Sequence, residues 1–222
     1  MNAGKEHPML FGGPMVLSIL NGRKTQTRRL IKPQPRLVGD GVPYGGTELV
    51  GLGKCPYKAG DRLWVREKWA VHKYYDGRPK NGCGPVPEGI AVECFTCPDS
   101  IRVLPSLTHR SIGEERGKWR PSIHMPRWAS RITLEVTEVR CEQLQAITER
   151  DAIAEGVEPV LHIYNGGSRR EWRDYSGGGM VAEPVFSFRS LWDSINGICT
   201  KNSWEANPWV WVIEFKVIAG VA

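Results

Sequence analysis

The chain lacks any long apolar run. None of its 222 residues belongs to a stretch that approaches the roughly 20 apolar residues a membrane helix needs. Residues 1–7 are polar, and no hydrophobic signal-peptide core follows them. The sequence therefore predicts a soluble, cytoplasmic protein with no membrane partner.

Internal repeats and low-complexity tracts are also missing. With 41% hydrophobic and 24% charged residues the chain can bury a real core, which excludes wholesale disorder and a coiled coil. We expect a single domain over residues 1–222. Because no export signal is seen, its six cysteines are expected to stay reduced, so any cysteine cluster concerns metal or redox chemistry.

Acidic residues are absent from one short, strongly basic segment. The formal net charge is +6, and residues 1–60 hold nine basic and three acidic residues, which accounts for the whole excess. Residues 61–222 hold 21 of each sign. A local cationic feature favours one anion-facing site over a uniformly basic protein. Its densest part contains Arg23, Lys24, Arg28, Arg29, Lys32 and Arg36.

Apolar periodicity predicts short helices and several strands. Gly22, Gly156 and Gly197 each follow a helical pattern, at the position where glycine commonly ends a helix. Few helices among several strands indicate an α+β fold with a mixed sheet or small barrel. The predicted helices cover residues 14–21, 149–154 and 184–196, and the predicted strands cover 63–67, 131–139 and 209–218.

Two segments interrupt this pattern and are predicted to be long surface insertions. Residues 71–120 are rich in glycine, proline, cysteine and charge, and residues 164–183 contain several glycines. Long loops in compact domains are commonly functional or mobile.

The sharpest local motif is Gly22-Arg-Lys-Thr-Gln-Thr-Arg-Arg29. Arginines around Lys24 disfavour its charged form, so a lowered pKa would let the amine act as a base. A neutral lysine can activate the hydroxyl of Thr25 or Thr27 for acyl transfer. From these residues alone, the alternative is an exposed and solvated basic loop.

Three motifs in order resemble the ASCH family. They are Gly-x-Lys-x-x-Thr-x-Arg at residues 22–29, Gly-Asp-x-Leu-x-Val at 60–65 and Ile-Glu-Phe at 213–215, and the resemblance covers about half of the chain. It implies a small mixed β-barrel related to the PUA RNA-binding fold, with short flanking helices and the two insertions. The segment at 119–131 resembles larger ASCH proteins of bacteriophages and prophages.

Some small bacterial ASCH proteins are amidohydrolases that deacylate N(4)-acetylcytidine with a lysine, a threonine and a glutamate. The motif carries these roles onto Lys24 and Thr27. The segment Ile147-Thr-Glu-Arg-Asp-Ala-Ile-Ala-Glu155 resembles the family's Leu-Thr-Glu-x-x-Ala-x-x-Glu, which carries the third role onto Glu155. The resemblance implies that lysine takes the threonine proton and threonine attacks the acyl carbonyl, while Glu155 orients Lys24 or serves the leaving amine. Arg29 or a backbone amide near Gly22 would stabilise the oxyanion.

The resemblance also implies alternatives. Other ASCH proteins are considered RNA binders, so the same pocket can bind RNA, single-stranded DNA or a modified nucleoside without chemistry, using Arg23, Arg28 and Arg29. Nuclease activity stays open as another enzymatic function. A phage accessory protein that binds a host protein through its insertions would need no catalytic group.

Aromatic side chains beside basic ones are candidates for stacking on a base. Trp69 and Trp128 are the strongest of the nine tryptophans, and Arg127 and His124 are the polar candidates next to Trp128. The alternative is that these tryptophans pack in the core, which is favoured for Trp192, Trp209 and Trp211.

A second CxxC pair is missing. Cys94-Phe-Thr-Cys97 has metal-ligand spacing, and Cys83, Cys55 or His109 would have to complete a structural zinc site. One CxxC alone is equally compatible with reduced thiols in a loop. No other cofactor is predicted.

Overall fold

The computed structural model describes residues 4–38, 48–50, 53–80, 83–94, 101–103, 119–164 and 167–220. None of the helices in these ranges is long and apolar enough to span a membrane. The helices are α1 (Gly13–Leu20), α2 (Glu149–Ala154) and α3 (Pro184–Asn196). The strands are β1 (Glu6–Leu10), β2 (Gln26–Leu30), β3 (Arg36–Val38), β4 (Glu48–Val50), β5 (Arg62–Arg66), β6 (Trp69–Lys80), β7 (Cys83–Cys94), β8 (Ile101–Val103), β9 (Ile132–Gln143), β10 (Pro159–Tyr164), β11 (Gly167–Arg173), β12 (Met180–Val181) and β13 (Trp209–Gly220).

The largest sheet has five strands in the order β1-β5-β9-β13-β2. Strand β1 is parallel to β5, with Pro8 opposite Trp64, and β2 is antiparallel to β13, with Thr27 opposite Ile213. Three smaller sheets consist of β3-β4, β6-β7-β8 and β10-β11-β12. Mixed sheets with few short helices confirm the predicted α+β class. Within the described residues the five-stranded sheet is open, because β1 and β2 are its edges.

All three helices form where local signals predict them. Helix α1 ends before Gly22, whose φ of +70° suits glycine. Thr148 and Asp151 form a reciprocal capping box at the start of α2. Helix α3 begins with Pro184 and ends at Gly197, where φ is +85°.

The chain divides into two compact units. The first comprises Met1–Lys5, Ser18–Asp61 and Glu135–Lys216, and the second comprises Glu6–Leu17, Arg62–Leu134 and Val217–Ala222. In the first unit, α3 packs Phe188 and Trp192 into a core with Val210 and Val212 of β13 and Trp172 of β11. The prediction that Trp192 is a core residue is confirmed.

The two tryptophans of β13 behave differently from Trp192. Trp209 and Trp211 are half-buried, because β13 turns Val210 and Val212 into the core with α3. On the opposite side of the strand, Ile213 is fully buried. The strand thus buries residues on both faces.

The second unit has a smaller described core. Leu63 and Val65 of β5 are buried, and Trp69 forms a separate cluster with Met125 and Ala129. The segment predicted as the first insertion contains most of β6 and all of β7 and β8, and the second predicted insertion contains all of β11 and β12. Both segments therefore carry strands where composition indicated loops.

Candidate active site in the first compact unit

Backbone hydrogen bonds hold Lys24 in the turn that follows α1. After α1, the backbone N–H groups of Arg23 and Lys24 both donate to the carbonyl oxygen of Ser18, at 2.9 and 3.0 Å. Thr25 N then donates to Ala154 O at 2.9 Å, which fixes this turn against the end of α2. The Lys24 side chain is only 1% exposed.

The end of α2 packs directly on Lys24. Gly156 has a φ of +88°, and a Cβ at this position would lie 2.8 Å from Lys24 Cβ and 2.9 Å from Ser18 Cβ. Ser18 Oγ donates to Gly156 O at 3.1 Å. Both the backbone conformation and the close approach require glycine here.

Lys24 and Glu155 form a buried ion pair. Lys24 Nζ lies 2.8 Å from Glu155 Oε2 and also donates to the main-chain oxygen of Glu155 at 2.8 Å. Both acceptors belong to one residue, so Glu155 fixes the position of the Lys24 amine.

Burial lowers the pKa of Lys24 below its ordinary value. The charge and hydrogen bond of Glu155 oppose this shift, while Arg29 and Arg28 add to it. The direction agrees with the prediction from the basic motif. Its main cause is desolvation, whereas the sequence had indicated crowding by arginines.

Arg28 binds the other oxygen of Glu155. Its NH1 donates to Glu155 Oε1 at 3.2 Å, and its NH2 contacts Glu142 Oε2 at 3.3 Å and Asp151 Oδ2 at 3.4 Å. The guanidinium also lies 5.7 Å from the centre of the Phe188 ring. The Arg28 side chain has no exposed surface, so its geometry positions Glu155 and does not present a charge to solvent.

A second arginine extends this network. Arg140 binds Glu142 and Glu214 through short ion pairs and contacts Asp151 Oδ1 at 3.1 Å. Although burial opposes the shift, the hydrogen bonds that Arg140 donates to Glu142 and Glu214 raise the pKa of Arg140. Arg140 thus also holds Glu142 and Asp151, two of the carboxylates that contact Arg28.

Thr27 is buried on β2, opposite Ile213. Strand alternation places Thr27 and Arg29 on one face and Arg28 on the other. Within the described residues the Thr27 hydroxyl is hydrogen-bonded to neither Lys24 nor Glu155. The structure thus joins two of the three residues implied by the family resemblance and places the third on the adjoining strand. Thr25, the alternative hydroxyl, is exposed.

Arg29 is partly buried, and burial lowers its pKa, with Glu155 and Tyr57 opposing that shift. Burial in turn raises the pKa of Tyr57, and the positive charge of Arg29 opposes it. Arg29 therefore lies in the electrostatic field of both Glu155 and Tyr57. The only sequence signal for Tyr57 is its position just before the Gly60-Asp61 motif.

Arg23 is half-buried, and its NH2 lies 3.4 Å from Ser18 Oγ. Its charge also acts on Tyr175, whose pKa is raised by burial. Arg23 therefore remains near the Lys24 turn. The sequence did not predict Tyr175, Arg140 or Glu142 as part of this region, because no motif marks them.

The aromatic candidates belong to the second compact unit. Trp69 is 3% exposed and meets Trp128 edge to face, with ring centres 5.8 Å apart, while Arg120 lies 5.3 Å from the centre of the Trp69 ring. Its indole N–H has no hydrogen-bond partner in the described part of the chain. Trp69 therefore packs, whereas Trp128, at 48% exposure, keeps a face available to solvent.

Neither polar candidate of this unit, Arg127 or His124, has a contact among the described residues that identifies a ligand. Arg127 pairs with Glu6 at 3.0 Å and donates to Thr133 at 3.3 Å. His124 is exposed at the end of a 3-10 turn.

The structure describes only some of the cysteine candidates. Cys83 and Cys94 are the first and last residues of the 12-residue strand β7. At about 3.3 Å per residue they lie on the order of 30 Å apart, too far for one metal ion. Cys97 and His109 lie outside the described residues, and Cys55 is half-buried in the first unit. Among described residues, no group of three or more histidine, cysteine, aspartate or glutamate side chains is placed to hold a metal.

No family model, curated protein or solved structure matches this chain. The ASCH resemblance therefore stays a prediction that rests on its motifs. The geometry around Lys24 is an independent observation.

Proposed function

We propose that this chain is an amidohydrolase of the ASCH type, built on a PUA-like fold, that removes the acyl group from an N(4)-acylated cytidine or a related modified base. The observation that carries the proposal is the buried Lys24 amine with its lowered pKa, bound at 2.8 Å to Glu155. Strongly perturbed titratable groups with a specific charge partner concentrate at functional sites.

Lys24 is the general base of the proposed reaction. Its neutral amine takes the proton of the Thr27 hydroxyl as Thr27 Oγ1 attacks the acyl carbonyl carbon. The tetrahedral intermediate then expels the cytosine amine, which receives the proton from the Lys24 ammonium as the C–N bond breaks. Water, deprotonated by the same lysine, hydrolyses the acyl-threonine ester and restores Thr27.

Glu155 and Arg28 support this base. Burial disfavours the ammonium that forms when Lys24 accepts a proton, and the carboxylate 2.8 Å away offsets that cost. Arg28 holds the second oxygen of Glu155, which keeps the carboxylate oriented toward Lys24. Arg29 shares a strand face with Thr27 and is the cation best placed for the oxyanion.

One observation favours a second function, nucleoside binding without chemistry. In the described residues, Thr27 has no hydrogen bond to Lys24, so the nucleophile and the base are not yet joined. In this alternative Lys24 and Arg29 bind an oxygen of the ligand, and no proton is transferred. Exchange of the Thr27 hydroxyl for a methyl group separates the two functions.

The decisive assay follows N(4)-acetylcytidine deacylation by absorbance and quantifies the cytidine released. We expect turnover by the unchanged protein and a loss of about 100-fold or more in kcat for Thr27→Val, which keeps the shape but removes the nucleophile. Thr25→Val is the matched control, because Thr25 is exposed and two residues away.

Lys24→Met should lose activity to a similar extent as Thr27→Val, with circular dichroism showing that each variant is folded. Absence of turnover by the unchanged protein would overturn the proposal for this substrate. So would a Thr27→Val variant as active as its Thr25→Val control. Binding of the nucleoside without turnover would select the non-catalytic function.

A further inference from the structure

The antiparallel pair β10-β11 forms a hairpin with two distinct faces. Leu161 pairs with Arg170 and His162 pairs with Arg169. Strand alternation puts Leu161, Ile163 and Arg170 on one face and His162 and Arg169 on the other. Trp172 lies two residues from Arg170 and therefore belongs to the first face.

On the first face, a stripe of apolar side chains continues from the core of the first unit into solvent. At its base Trp172 is 7% exposed and packs in the core of the first unit. Farther out, Leu161 is 63% and Ile163 is 74% exposed, and no described residue covers them. Scattered exposed leucines need no explanation, but a core stripe that continues into solvent marks an interaction surface.

The hairpin also carries two arginines without an acidic partner in the described part of the chain. Arg169 and Arg170 are exposed, and neither forms an ion pair there. Two other exposed arginines are neutralised, because Arg173 binds Glu158 at 3.0 Å and Arg189 binds Glu205 at 2.6 Å, whereas Arg62 and Arg150 are exposed and form no ion pair in the described part of the chain. Two exposed, unneutralised guanidinium groups, one on each face, suit a ligand with repeated negative charges.

A guanidinium fork matches the geometry of phosphate as well as that of carboxylate. On a single strand, arginines can contact the phosphates while neighbouring apolar side chains contact sugars and bases. The apolar stripe beside Arg170 supplies that second kind of contact. Charge complementarity therefore favours a nucleic acid over other partners.

The base of the hairpin adjoins the candidate site. Gly156, which packs on Lys24, is three residues before Pro159, the first residue of β10. Arg173 N donates to Glu158 O at 3.0 Å, and Glu158 N donates to Tyr175 Oη at 3.1 Å. A strand of this length spans about 20 Å. The hairpin thus leads from its exposed arginines to the turn that holds Lys24.

We infer that the β10-β11 hairpin binds the sugar-phosphate backbone of a nucleic acid through Arg169 and Arg170, with Leu161 and Ile163 against sugar or base. A corollary, which rests on the proposed function, is that the acylated base is processed within a polynucleotide. The binding itself does not depend on catalysis.

The test of binding uses the full chain and unmodified, fluorescently labelled single-stranded RNA and DNA of one sequence. Anisotropy titrations over a range of salt concentrations compare the unchanged protein, the double variant Arg169→Gln/Arg170→Gln, and the control Arg189→Gln. Each phosphate contact contributes about 0.7 to the log-log salt slope on single strands. We expect the double variant to bind at least tenfold more weakly with a slope reduced by about 1.4, and the control to match the unchanged protein.

Equal affinity and slope in the double variant and the control would overturn the inference. So would binding of poly-glutamate with no binding of either oligonucleotide, because the partner would then be an acidic protein. The RNA and DNA arms identify the preferred sugar.

A second measurement separates this inference from the proposed function. The ratio of kcat/KM on an oligonucleotide that contains N(4)-acetylcytidine to kcat/KM on the free nucleoside should fall at least tenfold in the double variant and stay constant in Arg189→Gln. A constant ratio in both would overturn the corollary. Oligonucleotide binding that depends on Arg169 and Arg170, with no hydrolysis of either substrate, would reject the proposed function and leave the hairpin inference standing.

Discussion

Each compact unit of this protein buries a glutamate, but the two glutamates have different cations. In the second unit, Glu67 binds Arg131 through two hydrogen bonds, Nε to Oε1 at 2.8 Å and NH2 to Oε2 at 3.2 Å. In the first unit, Glu155 divides its oxygens between Lys24 and Arg28. All of these side chains are less than 5% exposed.

The choice of cation decides what each pair can do. An arginine stays charged when buried and matches a carboxylate with two parallel hydrogen bonds, which suits a structural link. A lysine can lose its proton, and burial lowers the pKa of Lys24. The Glu67 pair is therefore expected to act in stability, whereas the Glu155 pair can also exchange a proton.

The largest expected effect is on stability, and it should differ between the two glutamates. Glu67→Gln removes the carboxylate charge that Arg131 contacts through two buried hydrogen bonds, so we expect a loss of about 3–5 kcal/mol in unfolding free energy. Glu155→Gln should cost less, because Lys24 can become neutral and Arg28 keeps Glu142 and Asp151. Urea unfolding of both variants measures this, and equal losses would contradict the distinction.

The next effect concerns the pH dependence of the proposed hydrolysis. Because Lys24 must be neutral to act as a base, kcat/KM should rise with pH through its lowered pKa. Glu155 raises the pKa of Lys24, so Glu155→Gln should move the rising limb to lower pH. Profiles of both proteins on N(4)-acetylcytidine check this. A limb that stays in place or moves to higher pH would show that Glu155 does not act on the base.

A smaller effect should appear in stability against pH. The pKa of Lys24 is lower in the folded state than in the unfolded chain, so between these two values the unfolded state binds more protons. Unfolding free energy should therefore rise with pH in that window, up to about 1.4 kcal/mol for each unit between the two pKa values. Lys24→Met should remove this rise when unfolding is measured from neutral pH to near pH 10.5. An unchanged rise would assign it to another group.

The smallest effect on stability is expected at an exposed ion pair, which serves as the reference for the buried pairs. Arg189 and Glu205 form an exposed pair, in which both side chains are at least 45% exposed. Arg189→Gln should change the unfolding free energy by less than about 1 kcal/mol, because such pairs are solvated and screened. A loss as large as that of Glu67→Gln would mean that burial is not what separates these ion pairs.

Local signals predicted the local structure well. The capping residues of α2 and the glycine after α1 lie within a few residues of the backbone groups that they affect, so the sequence alone identifies them. Lys24 was found in the same way, because glycine, lysine and threonine stand close together in one motif.

Long-range pairing could not be predicted in this way. The basic segment contains no acid, yet Arg28 binds Glu142, which lies 114 residues later, and Lys24 binds Glu155, which lies 131 residues later. The net charge of the basic segment therefore overstated how much positive charge this segment presents to solvent. Composition also failed to predict the strands in the two glycine-rich segments, because β-structure depends on partners that are distant in the sequence.

Lys24 is the base of the proposed reaction, and the titration of its own amine is the direct test of that role. NMR of labelled lysine side chains, with Lys24→Met to assign the resonance, measures the pKa of the Lys24 amine in the folded protein. We expect a Lys24 pKa below 10.5 that coincides with the rising limb of kcat/KM on N(4)-acetylcytidine. A Lys24 pKa at or above its ordinary value, or a rising limb that does not follow the Lys24 pKa, would show that Lys24 is not the base.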